Sequence, residues 1–590
     1  MNRDRGMATP LAVALGVAAF AAAWRRYGVF DFADEGVLLS QAWRAAHGQV
    51  PHVDFETGYG PLYFALQGAV LRAGGLVGIR LVLAAVHGAA AGLCFALARR
   101  LAGPTAAWLA VALQVALFLP VSPRLGTPIN IPYPAWYGGV SGVAIAWLVT
   151  APTARRLAVA GVIAGVVAAI KPNSGVLLVV GAALAAVAGD GRRGVLGVVV
   201  PLLAALTAVV LVAPSGVSTT AISLVPPVVG AATFAALRAG DDRTVLPRLL
   251  ALGIGFALVV VPAYAPSFVA LGPAGFARDV LLIGAGVAGV YELPYPAGAF
   301  IAQLWALVTF LPASPRPGWR RMLVTLWSAV VLFYGARMVM GPMDAGATAE
   351  WLRRGVETAL LVAAPVVVIW GVEAGAMERT DLLPPVAVAA PALLQLYPRP
   401  DFAHLLPLGP LLLPLLVALP RGPRVRRWGF GIGAGLATVR FAPTALALAA
   451  LLLGRTETVT VGREPLTIAP AGAPRLHALA DAVRGLVART SPEASVLAFP
   501  ACTAVTFFAD RRQAGPYEYF FPGRPDTTQV GALLSSTLAP APPPVAVTCT
   551  AEGTGLARAW DYYPDMVAFL DGRYRVVAST PPFVVREALP

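Results

Sequence analysis

Apolar stretches of membrane-spanning length recur between residues 7 and 453 and are separated by short polar segments. A helix needs about 20 mainly apolar residues to cross the hydrocarbon core of a bilayer. By that measure, candidate spans lie near residues 7–24, 76–98, 105–120, 134–150, 156–170, 175–189, 194–213, 221–238, 246–264, 297–312, 320–341, 355–371, 382–396, 404–420 and 428–453. Several of these spans are short, so the pattern predicts about 11 to 15 transmembrane helices.

The composition agrees with a chain that lies mostly in lipid. Of the 590 residues, 58% are hydrophobic and 13% are charged, whereas about 25% of the residues in a typical soluble domain are charged. The predicted fold class is therefore a polytopic α-helical membrane protein, and a water-soluble enzyme is excluded. We attribute the net charge of +14 to arginines in cytoplasmic loops, so no nucleic-acid partner is expected.

The distribution of arginines predicts which side of the membrane each segment faces. With the N-terminus inside, most arginine pairs fall on the cytoplasmic side, as the positive-inside rule requires, and Arg353 and Arg354 are the exception. The predicted location is the cytoplasmic (inner) membrane. Residues 25–75, residues 265–296 and everything after residue 454 are then expected outside it.

The two predicted outer loops carry helical patterns of their own. In the first outer loop, residues 34–47 and 60–71 have apolar side chains at helical spacing, which predicts two helices lying at the membrane interface. In the second outer loop, residues 276–296 predict an interfacial helix closed by a proline-rich turn. Both loops are therefore candidate working surfaces.

After residue 454 the hydropathy falls and short β-rich runs replace the spans. We therefore divide the chain into a transmembrane domain, residues 1–453, and a small extracytoplasmic α/β domain, residues 454–590. The predicted elements of the second domain are an amphipathic helix at residues 473–490 and strands at residues 495–499, 544–549, 574–579 and 583–587.

Two of the three cysteines belong to this α/β domain. Cys502 closely follows the first predicted strand and Cys549 ends the second. If these strands are neighbours in one sheet, the two thiols come close enough for a disulfide, which would persist outside the cytoplasm. The alternative is a pair of buried, unpaired thiols.

Acidic residues are concentrated in the first outer loop of a chain that has few of them. The cluster consists of Asp31, Asp34, Glu35, Asp54 and Glu56. A purely structural interpretation exists for each, because Asp34 and Glu35 suit the first turn of a helix and the other acids suit an exposed surface. The alternative is a catalytic cluster at the membrane surface.

The arrangement resembles the GT-C glycosyltransferases, which include the protein O-mannosyltransferases and the aminoarabinose transferases of lipid A. The matching residues are Asp34-Glu35 after the first span and Gly60-Pro61-Leu62-Tyr63 before the second. The resemblance implies transfer of a sugar from a polyprenyl-phosphate-linked donor to an acceptor outside the membrane. The chain departs from the aminoarabinose-transferase pattern around Glu56, which leaves the role of that residue open.

Such a reaction needs a base more than it needs an acid. A polyprenyl phosphate is already a good leaving group, whereas the acceptor hydroxyl must lose a proton as it attacks the anomeric carbon. We assign the base to Asp34, with Glu35 or Asp31 as the next candidates. Direct displacement inverts the anomeric configuration.

The departing lipid phosphate requires cations. The single lysine, Lys171, follows an apolar run, and Arg399 and His404 interrupt two others; Arg278 in the second outer loop is a further candidate. Cations near membrane depth are costly unless they meet an anion. The alternatives are that Lys171 extends to the interface at a helix end and that residues 396–410 form a simple loop in which Asp401 caps a helix.

A divalent metal is a further possibility at the first outer loop. If residues 52–56 are extended, His52, Asp54 and Glu56 share one side, which suits either an oxygen-rich metal site or an ordinary exposed strand. The nearby Tyr59 joins these three as a candidate acceptor or metal contact. The sequence assigns no cofactor beyond that.

The sequence thus favours a GT-C-like glycosyltransferase, of hexosyl or pentosyl type, with a lipid, glycan or protein acceptor. The site is expected between the first outer loop, Lys171 and the segment from Arg399 to His404. Two other functions stay open. One is a transporter or flippase for a lipid-linked sugar, and the other is a noncatalytic subunit of an envelope assembly machine.

Overall fold

The structure is a computed structural model of the whole chain. It describes residues 5–25, 32–119, 128–188, 194–216, 218–283, 292–296, 345–377, 379–419, 456–468, 470–549 and 558–590, together with residues 431, 435 and 453. The predicted spans at 297–312 and 320–341 lie outside the described residues, as does nearly all of the span at 428–453.

The described part of residues 5–419 is helical. Its helices are α1 (Arg5–Ala23), α2 (Asp34–Ala46), α3 (Pro61–Ala102), α4 (Pro104–Leu113), α5 (Ala135–Val149), α6 (Ala154–Ile170), α7 (Pro172–Val187), α8 (Leu196–Val212), α9 (Thr219–Leu237), α10 (Asp242–Phe276), α11 (Ala345–Met377), α12 (Leu383–Ala392), α13 (Phe402–Leu405) and α14 (Gly409–Ala418). Helices α4 and α10 continue into wider turns at Gln114–Phe118 and Ala277–Leu281.

These helices agree with the predicted membrane spans wherever the structure describes them. Among the described residues, three helices are long and apolar enough to cross a membrane by length and composition, namely Pro61–Ala102, Thr219–Leu237 and Asp242–Leu281. Further apolar helices of 10–17 residues accompany them. The protein is therefore a polytopic helical membrane protein.

The helices predicted in the two outer loops are present where the structure describes them. Residues 34–46 form α2 as expected, and residues 61–71 are helical in the first part of α3, which a break at Gly75 separates from the span predicted at 76–98. Gly75 breaks α3 with a φ of 59°, a conformation that glycine adopts without steric cost. In the segment 276–296, the residues up to Leu281 are helical and follow a break in α10 at Gly272, where φ is 65°. Residues 284–291 lie outside the described residues.

The C-terminal region is α/β. Its strands are β1 (Glu457–Val461), β2 (Glu464–Ile468), β3 (Ser495–Phe499), β4 (Arg512–Gln513), β5 (Val545–Cys549), β6 (Tyr574–Thr580) and β7 (Phe583–Ala588). Its helices are α15 (Ala473–Val487), α16 (Thr503–Phe508), α17 (Thr527–Leu533), α18 (Ala559–Tyr562) and α19 (Pro564–Arg573). The four strands and the helix predicted from the sequence are all present, whereas the β1–β2 hairpin was missed.

Five strands form one sheet in the order β4-β3-β5-β7-β6. Strand β3 runs parallel to β4 and β5, while β7 is antiparallel to β5 and β6. Alternate residues of β3 belong to two separate clusters, with Val496 in one and Leu497 and Phe499 in the other. Both faces of the strand are buried, which explains why its sequence is continuously apolar.

The ends of β3 and β5 are joined covalently. Cys502 and Cys549 form a disulfide, and their Cα atoms lie 6.0 Å apart. Cys94, in α3, is a buried free thiol.

The α/β region packs directly against α2. A Cβ atom added at Gly36 would lie 2.7 Å from the backbone nitrogen of Ala504, so only glycine allows this close approach of α2 to α16. The Trp43 indole donates a hydrogen bond to Asp510 Oδ1 at 2.7 Å. The first outer loop therefore lies between the helical part and the α/β region.

Candidate active site

A cavity of about 670 Å³ lies where α2, the ends of several helices and the α/β region meet. It is lined by three groups of polar side chains. From the first outer loop these are Asp34, Gln41, Glu56, Thr57 and Tyr59; from the helical part Tyr133, Lys171, Gln395, Arg399, Asp401 and His404; and from the α/β region Tyr517, Glu518, Tyr519 and Arg524. Six residues proposed from the sequence therefore line one cavity.

Asp34 is the first residue of α2 and faces this cavity. The Tyr133 hydroxyl donates a hydrogen bond to Asp34 Oδ2 at 2.8 Å. The partial positive charge at a helix N-terminus also stabilises a carboxylate at this position. The hydrogen bond orients the carboxylate at the cavity wall, and the helix N-terminus stabilises it there.

Glu35, the next candidate for the base, does not join Asp34 at the cavity. Glu35 is fully buried outside the cavity lining, and its Oε1 lies 3.7 Å from Arg80 Nη2 of α3. The same Arg80 side chain donates a hydrogen bond to the Arg25 carbonyl at 2.6 Å. Glu35 therefore links α2 to α3, and the proposal of Glu35 as a base is dropped. Asp31 lies outside the described residues.

Lys171 is the residue that joins α6 to α7, and it lines the cavity. The first outer loop is held against this junction, because the Gly60 amide donates a hydrogen bond to the Ile170 carbonyl at 2.8 Å. A Cβ atom at Gly60 would collide with the Ala169 carbonyl oxygen. The glycine thus permits a contact that brings Tyr59 and Lys171 to the same cavity.

The segment from Arg399 to His404 is organised around one carboxylate. Asp401 Oδ2 accepts a hydrogen bond from Arg399 Nε at 2.7 Å, and Asp401 Oδ1 lies 2.7 Å from His404 Nδ1. Asp401 also caps α13, since its Oδ1 accepts from the His404 amide at 3.0 Å. The capping interpretation therefore describes Asp401, while Arg399 and His404 still line the cavity.

Arg278 does not reach the cavity lining. Its side chain is 75% exposed and pairs with Asp279, with 2.8 Å between Arg278 Nη2 and Asp279 Oδ2. We therefore drop Arg278 as a phosphate ligand.

Residues 52–56 are not extended, so the shared side predicted for His52, Asp54 and Glu56 does not exist. Residues 52–54 form a turn in which His52 has a φ of 67°. Asp54 Oδ2 accepts a hydrogen bond from the Val50 amide at 2.6 Å, and Glu56 points instead to Arg524. Within the described residues, no group of three or more His, Cys, Asp or Glu side chains is arranged to hold a metal ion.

Sequence reasoning missed the contribution of the α/β region. Arg524 forms two hydrogen bonds with Glu56, at 3.0 and 3.1 Å, and donates a third to the Ile283 carbonyl at 3.0 Å. Tyr517, Tyr519 and Phe521 add aromatic side chains to the same wall. The signal available in the sequence was the concentration of aromatic and charged residues in residues 517–526, within an otherwise ordinary domain.

Burial shifts the pKa of three groups in the first outer loop and the α/β region. Burial raises the pKa of Glu518 to about 7, although Arg44 and the Ser40 hydroxyl oppose the shift. Burial also raises the pKa of Glu56, and the Arg524 guanidinium opposes that shift. Burial lowers the pKa of His52 to about 4, so this imidazole is neutral at pH 7.

The geometry combines a carboxylate and several cations around one space at the ends of apolar helices. Asp34 can accept a proton, while Lys171 and Arg399 can attract a phosphate. Within the described part of the chain, no ion pair to Lys171 is present. The cavity is therefore suited to a reaction in which an alcohol loses a proton and a phosphate departs.

Comparisons with known proteins find similarity only among solved structures. No protein-family model matches it, and a search of curated protein sequences gives no match. Among solved structures it is similar to ArnT from Cupriavidus metallidurans bound to undecaprenyl phosphate, with 17% identity over 100% of both chains and a TM-score of 0.39. It is also similar to the Archaeoglobus fulgidus oligosaccharyltransferase in complex with Zn and sulfate, with 12% identity over 95% of this chain and 71% of that one and a TM-score of 0.35. At these identities and TM-scores the similarity assigns no role to any residue.

Proposed function

We propose that the chain is a membrane glycosyltransferase that moves a sugar from a polyprenyl-phosphate-linked donor to an acceptor outside the cytoplasmic membrane. The observation that carries the proposal is the shared cavity. Asp34 lines it together with Lys171 and Arg399, although these residues are widely separated in sequence. A base and a phosphate site are the two things that this reaction requires.

Asp34 acts as the general base in this proposal. The acceptor hydroxyl transfers its proton to the Asp34 carboxylate while its oxygen forms a bond to the anomeric carbon. The bond from that carbon to the phosphate oxygen breaks, and its electron pair leaves with the lipid phosphate. The sugar is transferred with inversion, and a positioned base contributes roughly 10²–10⁴-fold to the rate.

Lys171 and Arg399 stabilise the charge that develops on the departing phosphate. His404, from the same segment as Arg399, adds a third contact. Fixed cations aimed at developing charge are worth more in a site shielded from water than in bulk solvent. The helices around the cavity are apolar, so the lipid part of the donor reaches the site from the bilayer.

The first experiment identifies the donor and then removes the base. Mass spectrometry of lipids that copurify with the protein gives the donor to be used in a transfer assay in nanodiscs. We expect Asp34→Asn to reduce transfer by roughly 10²–10⁴-fold while undecaprenyl phosphate still binds. The matched control is Asp54→Asn, an exposed carboxylate of the same loop that does not line the cavity.

Wild-type transfer by Asp34→Asn would remove Asp34 as the base. A transporter is distinguished by a flipping assay in vesicles without acceptor, because movement of intact lipid-linked sugar would contradict the transferase. Absence of both transfer and flipping, with the lipid-linked sugar still bound, would favour the noncatalytic subunit.

A further inference from the structure

One wall of the cavity is built by the segment Tyr517–Arg524 of the α/β region, which we call the aromatic wall. It includes Tyr517, Glu518, Tyr519 and Phe521, all of which line the cavity. The segment is held in place because the Phe520 amide donates a hydrogen bond to the Pro500 carbonyl at 2.9 Å. The proposed reaction assigns this wall no role.

The rings of Tyr519 and Phe521 are stacked, with centroids 5.9 Å apart and an angle of 12° between their planes. Ala33, the residue immediately before Asp34, packs against the cluster that Phe521 forms with Ala501, and Tyr519 packs against the same cluster. Aromatic faces carry partial negative charge and attract the positively polarised C–H bonds of a ligand. A ligand on these rings therefore lies close to the proposed base.

Glu518 supplies a polar group at the same wall. One of its carboxylate oxygens, Oε1, accepts a hydrogen bond from Ser40 Oγ at 3.0 Å and lies 3.5 Å from Arg44 Nη1. The other oxygen, Oε2, is buried, and no described residue donates a hydrogen bond to it. A buried acceptor without a donor is unfavourable, so this oxygen is suited to a ligand hydroxyl.

An ion pair also borders the aromatic wall. Arg524 and Glu56 face each other in a bidentate arrangement and are only partly exposed, at 17% and 20% of their side chains. Together they offer both donors and acceptors to a ligand. Stacked rings beside such a mixture match a molecule that has an apolar face and many hydroxyl groups.

We infer that the aromatic wall is the acceptor subsite and that the acceptor is a carbohydrate. One sugar ring packs against Tyr519 and Phe521, and one of its hydroxyls donates a hydrogen bond to Glu518 Oε2. This inference rests on the proposed function, which leaves the acceptor class open. An acyl chain would not satisfy the buried carboxylate, and a peptide acceptor becomes an outcome of the test.

Binding is measured without donor, so that it is independent of turnover. The protein is placed in nanodiscs without glycolipid or sugar-based detergent, and a panel of methyl glycosides of common hexoses and pentoses is tested by saturation-transfer NMR. We expect saturation of ring protons in at least one glycoside, and about tenfold weaker binding of that glycoside to Tyr519→Ala and Glu518→Gln. Tyr519→Phe keeps the ring and should keep the binding.

The matched control is Tyr562→Ala, which removes a half-buried tyrosine of the same region that does not line the cavity. It should bind the glycoside like the wild type. Undecaprenyl phosphate binding reports that each variant is folded, since that ligand uses the opposite set of residues.

Failure of every glycoside to bind the wild type would overturn the carbohydrate acceptor, and transfer to a serine-containing peptide would then leave the proposed function standing. Equal glycoside binding by Tyr519→Ala and the wild type would also overturn the inference. Glycoside binding without transfer from any copurified donor would overturn the proposed function and the acceptor role together.

Discussion

Asp34 and Glu35 are adjacent in sequence, yet their carboxylates have different surroundings. Successive residues of an α-helix are rotated by about 100°, so neighbours at the start of α2 face different directions. Asp34 reaches the cavity, whereas Glu35 turns toward Arg80 and is fully buried. One position in the pair is therefore available to a substrate, and the other connects two helices.

At the same scale, Lys171→Ala is predicted to weaken donor binding. Loss of the ammonium group removes one attraction to the lipid phosphate, so the Kd for undecaprenyl phosphate should rise about tenfold or more, as for the loss of a charged hydrogen bond. Lys171→Arg should restore binding only in part, because a planar guanidinium differs from an ammonium in shape and hydration. Microscale thermophoresis in nanodiscs measures both.

The control for this change is Arg155→Ala, which removes an exposed cation near the opposite end of α6. Its donor affinity should equal that of the wild type. Unchanged affinity in Lys171→Ala would show that Lys171 only extends to the interface at the helix junction.

At the scale of elements, β3 and β5 are parallel neighbours whose ends are linked by the Cys502–Cys549 disulfide. The two cysteines are 47 residues apart in the chain. A bridge that closes such a loop stabilises a domain by about 2–4 kcal/mol in the chain-entropy model. We predict that the double change of both cysteines to alanine lowers the unfolding temperature of the α/β region. Calorimetry with and without reductant measures the unfolding temperature. The reduced wild type should unfold at the same lower temperature as the double variant.

Maleimide labelling tests the bridge and the predicted topology separately. In the denatured but unreduced protein only Cys94 should react, and it serves as the internal control because it is a free thiol. Labelling of Cys502 and Cys549 under the same conditions would contradict the bridge. A second labelling experiment uses intact cells after reduction and unfolding. If Cys502 and Cys549 then react only once the membrane is permeabilised, the prediction of an outer α/β domain is contradicted.

At the scale of the whole molecule, the helical part and the α/β region meet through α2. Ser40 and Arg44 contact the buried carboxylate of Glu518, and Trp43 contacts Asp510. Both regions contribute to the cavity, so its shape depends on how they are docked. The titration of Glu518, which lies at this contact, therefore affects the stability of the whole molecule.

We predict that stability falls as the pH rises from about 4.5 to about 7. Burial raises the pKa of Glu518 from 4.5 to about 7, so in this window the folded carboxyl holds a proton that the unfolded chain has lost. The stabilisation from that proton is fully present below pH 4.5 and is lost as the pH approaches 7. Unfolding temperatures measured in nanodiscs across this range check the slope.

Glu518→Gln does not titrate, so the slope should be shallower in this variant. Glu493→Gln changes an exposed glutamate of the same region and should follow the wild type. Identical slopes for Glu518→Gln and the wild type would assign the pH dependence to other groups.

Local sequence patterns determined most of the elements. Apolar runs predicted the described helices because a helix in lipid must bury its backbone polar groups within itself. The four C-terminal strands were predicted from short apolar runs rich in β-branched residues, which suit a sheet buried on both faces. Polar residues at the ends of such runs, among them Asp34, Lys171 and Arg399, could be selected as candidates for the same reason, since their charge is costly there without a function.

Only the tertiary structure decided which of these candidates share a site. The periodicity of residues 52–56 did not reveal the turn at His52, and it could not show that Glu56 pairs with Arg524, 468 residues away in the chain. Nor could it separate Asp34 from Glu35 or bring the aromatic wall beside Ala33. Local patterns record which face of an element is buried, but contacts between distant segments depend on how all the elements pack together, and no single stretch of sequence contains that information.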